Sequence, residues 1–219
     1  MHKLIRSFIQ MNSARGRLLK RFAKKLGLVY FGSVDQKRDE HDVIKGLTVS
    51  TTHKDTHYAV GAYDGYDISL VDRFDTVLGR DGVKAEQTWF ILRIDLETET
   101  GLPHLFLRPL THSQEAYSRF FTAFHQLLPI NSMLNDAHGS EFHGRYELYA
   151  TTSRLHDIEE YFTSEVSQMI AARLWPHAIE LIDNKLYIYT TNEKLNDTIL
   201  NTALESGLWL ARIFDRRQD

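Results

Sequence analysis

The sequence predicts an α+β protein in which an antiparallel β-sheet meander is covered by helices, with a basic amphipathic helix at the N-terminus. Two tight hairpins are indicated, because Asp64-Gly65 and Asp183-Asn184 each stand between short runs rich in β-branched and aromatic residues. Segments of helical period follow each group of predicted strands. With 42% of its 219 residues apolar, the chain has enough apolar side chains to form a core.

The first predicted element is a helix over about residues 2–26, ended by Gly27 as a C-cap. The first 34 residues carry eight Lys and Arg and no acidic residue, a charge of +8. The remaining 185 carry 18 basic and 29 acidic residues, a charge of −11. We therefore predict two parts: residues 1–27, the basic helix, and residues 28–219, a single α+β domain with a candidate subdomain boundary near 131–140.

The first half of the body is predicted to be mainly β structure. In order, we expect a strand over 43–50, a hairpin of 58–63 and 66–71, a polar loop over 75–85, a long strand over 87–96, and a short strand over 104–108 closed by Pro109. The near-continuous apolar run of 87–96 favours a central position, covered on both faces.

The second half is predicted to alternate helices and strands. In order, we expect a helix over 113–128 ended by Pro129, a polar connection over 131–139, a strand over 142–150, a helix capped by Ser153 that runs to about residue 172, a hairpin of 179–182 and 185–189, and a final helix over 193–214. These three helices are expected to cover one side of the sheet.

Four stretches of the chain occur in an order that resembles an uncharacterised bacterial family, a domain of unknown function. They are Gly27-Leu28-Val29-Tyr30-Phe31-Gly32, Leu105-Phe106-Leu107-Arg108-Pro109, the Arg145-Tyr146-Glu147-Leu148-Tyr149 stretch after Phe142, and Lys185-Leu186-Tyr187-Ile188-Tyr189. The resemblance covers about residues 18–190. It implies a membrane-proximal domain without assigned chemistry, since many relatives carry membrane-spanning segments near the N-terminus, where this chain has a basic amphipathic helix.

The basic helix is the main candidate for a binding site. As an interfacial helix it would place apolar side chains at the headgroup boundary of a membrane and cations against anionic lipid. The residues expected to contact a membrane or a partner protein are Arg15, Arg17, Leu18, Lys20, Arg21, Phe22, Lys24 and Lys25. In the alternative interpretation, the apolar stripe docks on the protein's own core and the cations pair with the acidic body. Nucleic acid is disfavoured, because the body repels phosphate and no nucleic-acid-binding motif occurs.

A second candidate is a metal site at His53, Asp55 and His57. The two histidines have HxxxH spacing, which on a helix would bring them to one face. The local sequence favours a turn between strands instead. In an extended chain the two would share one side but stand about 13 Å apart, at ~3.3 Å per residue.

These observations favour a non-enzymatic interaction or scaffold domain, cytoplasmic and peripheral to the bacterial inner membrane. No cysteine is present, which excludes disulfides, thiolate metal sites and a cysteine nucleophile. No hydrolase elbow, P-loop or dinucleotide fingerprint occurs, no apolar run is long enough to span a membrane, and no cofactor is expected. The alternative is a metal-dependent or small-molecule-binding enzyme that uses the cluster at 53–57. The sequence does not determine the oligomeric state.

Overall fold

The computed structural model describes residues 2–32, 54–78, 84–98, 101–111, 117–134, 138–191 and 195–215. Side chains are described in these ranges except at residues 2–13, 76–78, 84–85, 118–119 and 191. The predicted strand over 43–50 and the candidate ligand His53 therefore lie outside the described residues.

Six α-helices and nine strands occur in the described part of the chain. The helices are α1 (His2–Lys25), α2 (Ser118–Ala123), α3 (Gly139–Arg145), α4 (Leu155–Tyr161), α5 (Ser164–Leu174) and α6 (Asp197–Asp215). The strands are β1 (Val29–Tyr30), β2 (Lys54–Tyr63), β3 (Tyr66–Leu78), β4 (Lys84–Asp95), β5 (Leu105–Pro109), β6 (Leu128–Pro129), β7 (Tyr146–Ala150), β8 (Ala178–Ile182) and β9 (Lys185–Thr191). The predicted α+β class with an N-terminal helix is confirmed.

The nine strands form one sheet in the order β1-β2-β3-β4-β9-β8-β5-β7-β6, and every neighbouring pair is antiparallel. Strand β4 lies between β3 and β9, which confirms the central position predicted for residues 87–96. Among the strands that the structure describes, the edges are the two-residue strands β1 and β6. Short edge strands of this kind limit pairing with the sheet of another molecule.

Both predicted hairpins are confirmed. Asp64 and Gly65 connect β2 to β3 with φ values of 54° and 88°. Asp183 and Asn184 connect β8 to β9 with φ values of 52° and 55°. Two successive positive φ values are the mark of a type I′ turn, whose twist matches that of the flanking strands, and Asp, Asn and Gly adopt this conformation at the lowest cost.

Alternation along the strands gives the sheet two apolar faces. The helical face carries residues such as Leu92 and Ile188 and packs against α1, α3, α4, α5 and α6. The aromatic face carries residues such as Trp89 and Phe106 and packs against α2. The helix predicted over 113–128 therefore lies on the opposite side of the sheet from the other helices, not on the same side. Because the central strand is apolar on both faces, each face needs a cover.

Helix α1 ends at Lys25 and is terminated by Gly27 as predicted, a residue with a φ of 73°. The amide of Leu28 donates to the carbonyl of Ala23 at 2.9 Å, and the amide of Gly27 donates to the carbonyl of Lys24 at 3.2 Å. This pair of bonds is the Schellman arrangement, which glycine favours because it adopts positive φ without strain. It turns the chain directly from α1 into the edge strand β1.

Two predicted boundaries are wrong because strand pairing extends beyond the expected ends. The polar loop predicted over 75–85 is shorter, since β3 continues to Leu78, which pairs with Lys84 of β4. The helix predicted over 113–128 ends at Ala123, and Leu128–Pro129 pairs with β7 as strand β6. In both places tertiary pairing overrides the local periodicity.

Two further boundaries differ around α3, α4 and α5. Residues 142–145 belong to α3 rather than to the start of a strand. The single helix predicted from Ser153 is divided into α4 and α5, and the capping bond is made by Thr163, whose hydroxyl accepts from the amide of Val166 at 3.4 Å. Threonine suits this position because its hydroxyl replaces a helix carbonyl that the first turn lacks.

Candidate functional site

The apolar face of α1 is part of the protein core. Leu19, Phe22, Ala23 and Leu26 are buried against the helical face of the sheet, and Leu18 packs at the margin of this cluster. Phe22 is only 2% exposed. The prediction that Phe22 contacts a membrane or a partner is therefore corrected: a stripe that would suit lipid covers the sheet instead, because the helical face offers an apolar surface of the same kind.

Arg15 joins α1 to the sheet through an ion pair with Asp72 of β3. Its Nε donates to Oδ2 at 2.7 Å and its terminal nitrogen donates to Oδ1 at 2.6 Å. The side chains are 16% and 7% exposed, so the pair is largely shielded from water. Two-point pairing between guanidinium and carboxylate fixes orientation as well as charge, so it sets the register of α1 on the sheet. Arg15 thus faces the protein rather than an external partner.

Helix α1 crosses β2 at Gly16. A Cβ atom on this residue would lie 2.6 Å from Cε1 of His57, so only glycine lets the helix come this close to the imidazole. The hydroxyl of Tyr30 lies 2.6 Å from Nδ1 of His57, and the two rings stack with centroids 6.2 Å apart. Burial lowers the pKa of His57 and raises the pKa of Tyr30, so both side chains are neutral at pH 7.

Replacing Gly16 with alanine is expected to lower the free energy of unfolding by about 1–3 kcal/mol. The reason is the clash of the new methyl with the His57 ring, which Tyr30 holds in place and which outweighs the ~1 kcal/mol that alanine adds in helix propensity. Urea denaturation measures the loss. The same substitution in a His57→Ala background should be neutral or stabilising, and an equal loss in both backgrounds would contradict the ring contact as the cause.

Beside this crossing, α1 runs along α6. A terminal nitrogen of Arg21 donates to Oδ2 of Asp197 at 2.6 Å, and one turn later Nζ of Lys25 donates to the amide oxygen of Asn201 at 2.9 Å. Lys25 follows Arg21 by four residues, and Asn201 follows Asp197 by four residues. The two helices therefore lie side by side and run in the same direction. Each contact is exposed and contributes little stability on its own.

The side of α1 that points away from the sheet is basic. We call this surface the basic face, and its exposed residues are Arg17, Lys20, Arg21, Lys24 and Lys25. Lys20 lies over the ring of Tyr30, with Nζ 5.9 Å from the centroid, and Lys25 contacts the uncharged amide of Asn201. Neither of these two contacts cancels a positive charge, whereas Arg21 is paired with the carboxylate of Asp197. Five of the eight predicted contact residues are therefore on the surface, whereas Arg15, Leu18 and Phe22 face the protein.

The structure does not bring the predicted metal ligands together. Asp55 is buried on the aromatic face, where both of its oxygens accept from Arg73, at 2.6 and 2.7 Å. A β-bulge between Thr56 and Ala59 turns His57 to the helical face, where it meets Gly16 of α1. Within the described residues no group of three His, Asp or Glu side chains has the arrangement of a metal site.

The aromatic face contains a buried polar cluster that the sequence reasoning did not find. Glu180 has no exposed surface, and its carboxylate accepts from the Tyr189 hydroxyl at 2.6 Å and lies 2.8 Å from Nε2 of His104. The three residues come from β8, β9 and the segment before β5, so no local spacing relates them. The only signal in the sequence is Glu180 itself, an acidic residue inside the otherwise apolar strand β8. A buried carboxylate of this kind needs hydrogen-bonding partners from elsewhere in the fold.

A second polar group lies on the same face, one strand further along. Glu147 of β7 accepts from Arg108 of β5 at 2.6 Å and from the Tyr149 hydroxyl at 2.5 Å. Burial opposes ionisation of Glu147, but these hydrogen bonds outweigh it and lower its pKa, and burial raises the pKa of Tyr149 to about 12. The arrangement holds charge in place between strands rather than presenting a nucleophile or base to solvent.

No protein-family model matches the chain, and no curated protein matches it. A solved structure does: the mycobacterial trehalose monomycolate transport factor A has a TM-score of 0.56, with 13% sequence identity over 92% of each chain. At this identity the likeness shows a common fold. In the described part of the chain no helix is both long and apolar enough to cross a membrane.

Proposed function

We propose that this protein is a non-enzymatic interaction domain that binds the anionic surface of the bacterial inner membrane peripherally, through the basic face of α1. The observation that carries this proposal is the orientation of α1: its apolar side is in the core and five exposed cations point outward. Because the core already buries the apolar side chains of α1, the contact made by this helix is electrostatic rather than an insertion of Leu18 and Phe22.

The charge distribution supports this assignment. Each cation near an anionic leaflet contributes about 1 kcal/mol, so the basic face supplies several kcal/mol at low salt even with Arg21 paired to Asp197. The remainder of the chain is acidic, with a charge of −11 for residues 35–219. An acidic body repels the same surface, so it favours one orientation, with α1 towards the membrane and the body away from it.

Two likenesses also support an accessory role near a membrane. The family that the sequence resembles often carries membrane-spanning segments near the N-terminus, where this chain has α1. The structural neighbour is named a transport factor rather than an enzyme. The ion pairs and hydrogen bonds of Asp55, Glu147 and Glu180 agree with a structural use of these acidic residues on the sheet.

The test is co-sedimentation with vesicles of phosphatidylglycerol mixed with phosphatidylcholine, against vesicles of phosphatidylcholine alone. Lys20→Gln with Lys24→Gln is expected to weaken binding to the anionic vesicles about 30-fold at low salt, since two cations at ~1 kcal/mol each are lost. Binding by the native protein should also fall as salt is raised, because ions screen exposed charges.

The matched control is Arg154→Gln with Arg173→Gln, which changes the net charge by the same amount on α5 and on the turn before α4. This variant should bind the anionic vesicles within about twofold of the native protein, because its altered charges are not on the basic face. Equal losses in the two variants would show that net charge alone drives binding, and no binding by the native protein would reject the proposal.

A further inference from the structure

The edge strand that follows α1 exposes two large apolar side chains. Val29 is 59% exposed and Phe31 is 47% exposed. The two are separated by one residue in extended backbone, so they lie on the same side of β1. Val29 pairs with Val60 and the ring of Phe31 lies 5.8 Å from that of Tyr58, which places both at the margin of the aromatic face.

Tyr30, between them, points to the other side of the strand. Its ring packs against the helical core and lies under the ammonium group of Lys20. A flat surface laid against this edge of the sheet therefore meets Lys20 of the basic face on one side of β1 and Val29 with Phe31 on the other. Apolar and aromatic side chains beside cations are the combination that binds the interface of an anionic bilayer.

We infer that Val29 and Phe31 are the residues of this protein that enter the membrane interface, while the basic face of α1 supplies the charge attraction. This inference rests on the proposed function and names the part of the site that penetrates the bilayer. Charge complementarity between anionic lipid and Lys20, which lies beside β1 over the ring of Tyr30, is the reason for choosing lipid as the occupant. Leu128, which is 48% exposed, lies away from α1 on the opposite edge of the sheet.

The chain contains no cysteine, so one cysteine at a time can be introduced and labelled with an environment-sensitive fluorophore such as NBD. Val29→Cys and Phe31→Cys report on the proposed site. Leu128→Cys is the matched control, because it is similarly exposed and also lies on a two-residue edge strand. Each labelled protein is mixed with phosphatidylglycerol-containing vesicles, and co-sedimentation is measured on the same samples.

The fluorescence emission of labels at positions 29 and 31 should shift to shorter wavelength on binding, and nitroxide lipids should quench it. The emission of a label at position 128 should show neither change. Val29→Ser with Phe31→Ser should weaken binding about tenfold, from the loss of two partly exposed apolar groups. Co-sedimentation with a water-exposed label at both positions would overturn this inference and leave the proposed function standing. Absence of co-sedimentation would overturn both.

Discussion

Phe22→Ala is expected to lower the free energy of unfolding by about 3–5 kcal/mol, the range for removing a phenyl ring from a packed core. The side chain is 2% exposed and lies among Leu19, Leu26 and the helical face of the sheet, so the substitution leaves a cavity that the surroundings fill only in part. Chemical denaturation, followed by far-UV circular dichroism, gives the value. If residues 1–26 were a free arm, the substitution would leave the free energy of unfolding almost unchanged.

The control is Lys24→Ala on the opposite side of the same helix, which should change stability by less than about 0.5 kcal/mol. A loss below about 1 kcal/mol for Phe22→Ala would contradict the docking of α1. For the same reason, deleting residues 1–25 is a poor test of membrane binding, because the deletion removes part of the core together with the cations. Substitutions on the basic face separate the two effects.

Asp55→Ala is the second change with a large expected effect, a loss of about 3–5 kcal/mol. Arg73 is 1% exposed and both oxygens of Asp55 accept its hydrogen bonds, so the substitution leaves a buried guanidinium without this carboxylate. Thermal or chemical denaturation measures the loss. The same protein serves for metal analysis, since a role of Asp55 as a ligand requires bound metal that disappears in the variant.

The matched control replaces both partners, Asp55→Leu with Arg73→Met, so that neither charge of this pair remains. This double variant should lose markedly less stability than Asp55→Ala, because apolar side chains of similar volume often replace a buried pair at little cost. A double variant less stable than the single one would contradict the assignment. Stoichiometric metal in the native protein with unchanged stability in Asp55→Ala would support the metal-site alternative instead.

Features that depend on neighbours along the chain could be predicted from the sequence. The turns at Asp64-Gly65 and Asp183-Asn184 require positive φ, and a few residue types meet that need. The C-cap at Gly27 follows the same rule. The charge split between the first 34 residues and the body likewise identified the cations that the structure places on the basic face.

Features that depend on contacts between distant segments could not be predicted. The residues of β6 have no strand character of their own and become a strand because β7 is beside them. The bulge near Thr56 reverses the side to which His57 points, which a strict two-residue alternation cannot anticipate. Glu180 meets His104 and Tyr189 only through the order of strands in the sheet.

The role of α1 was ambiguous for a physical reason. An amphipathic stripe with cations opposite it suits a membrane interface and a protein core equally well, because both offer an apolar surface next to water. The decision comes from the sheet, whose helical face carries Leu70 and Leu92 in the same buried cluster as Leu19 and Phe22 of α1. Burial there moves the candidate lipid contacts from Leu18 and Phe22 to the outward cations and to the edge strand.

Amide hydrogen exchange along α1 tests the central claim most directly. If α1 is docked by its apolar face and contacts a membrane through its cations, amides of residues 19–26 exchange as slowly as those in the buried part of α6, with or without anionic vesicles. Exchange of those amides at the rate of an unfolded chain in solution would contradict the account. It would mean that the helix is free and that its apolar face is available for lipid.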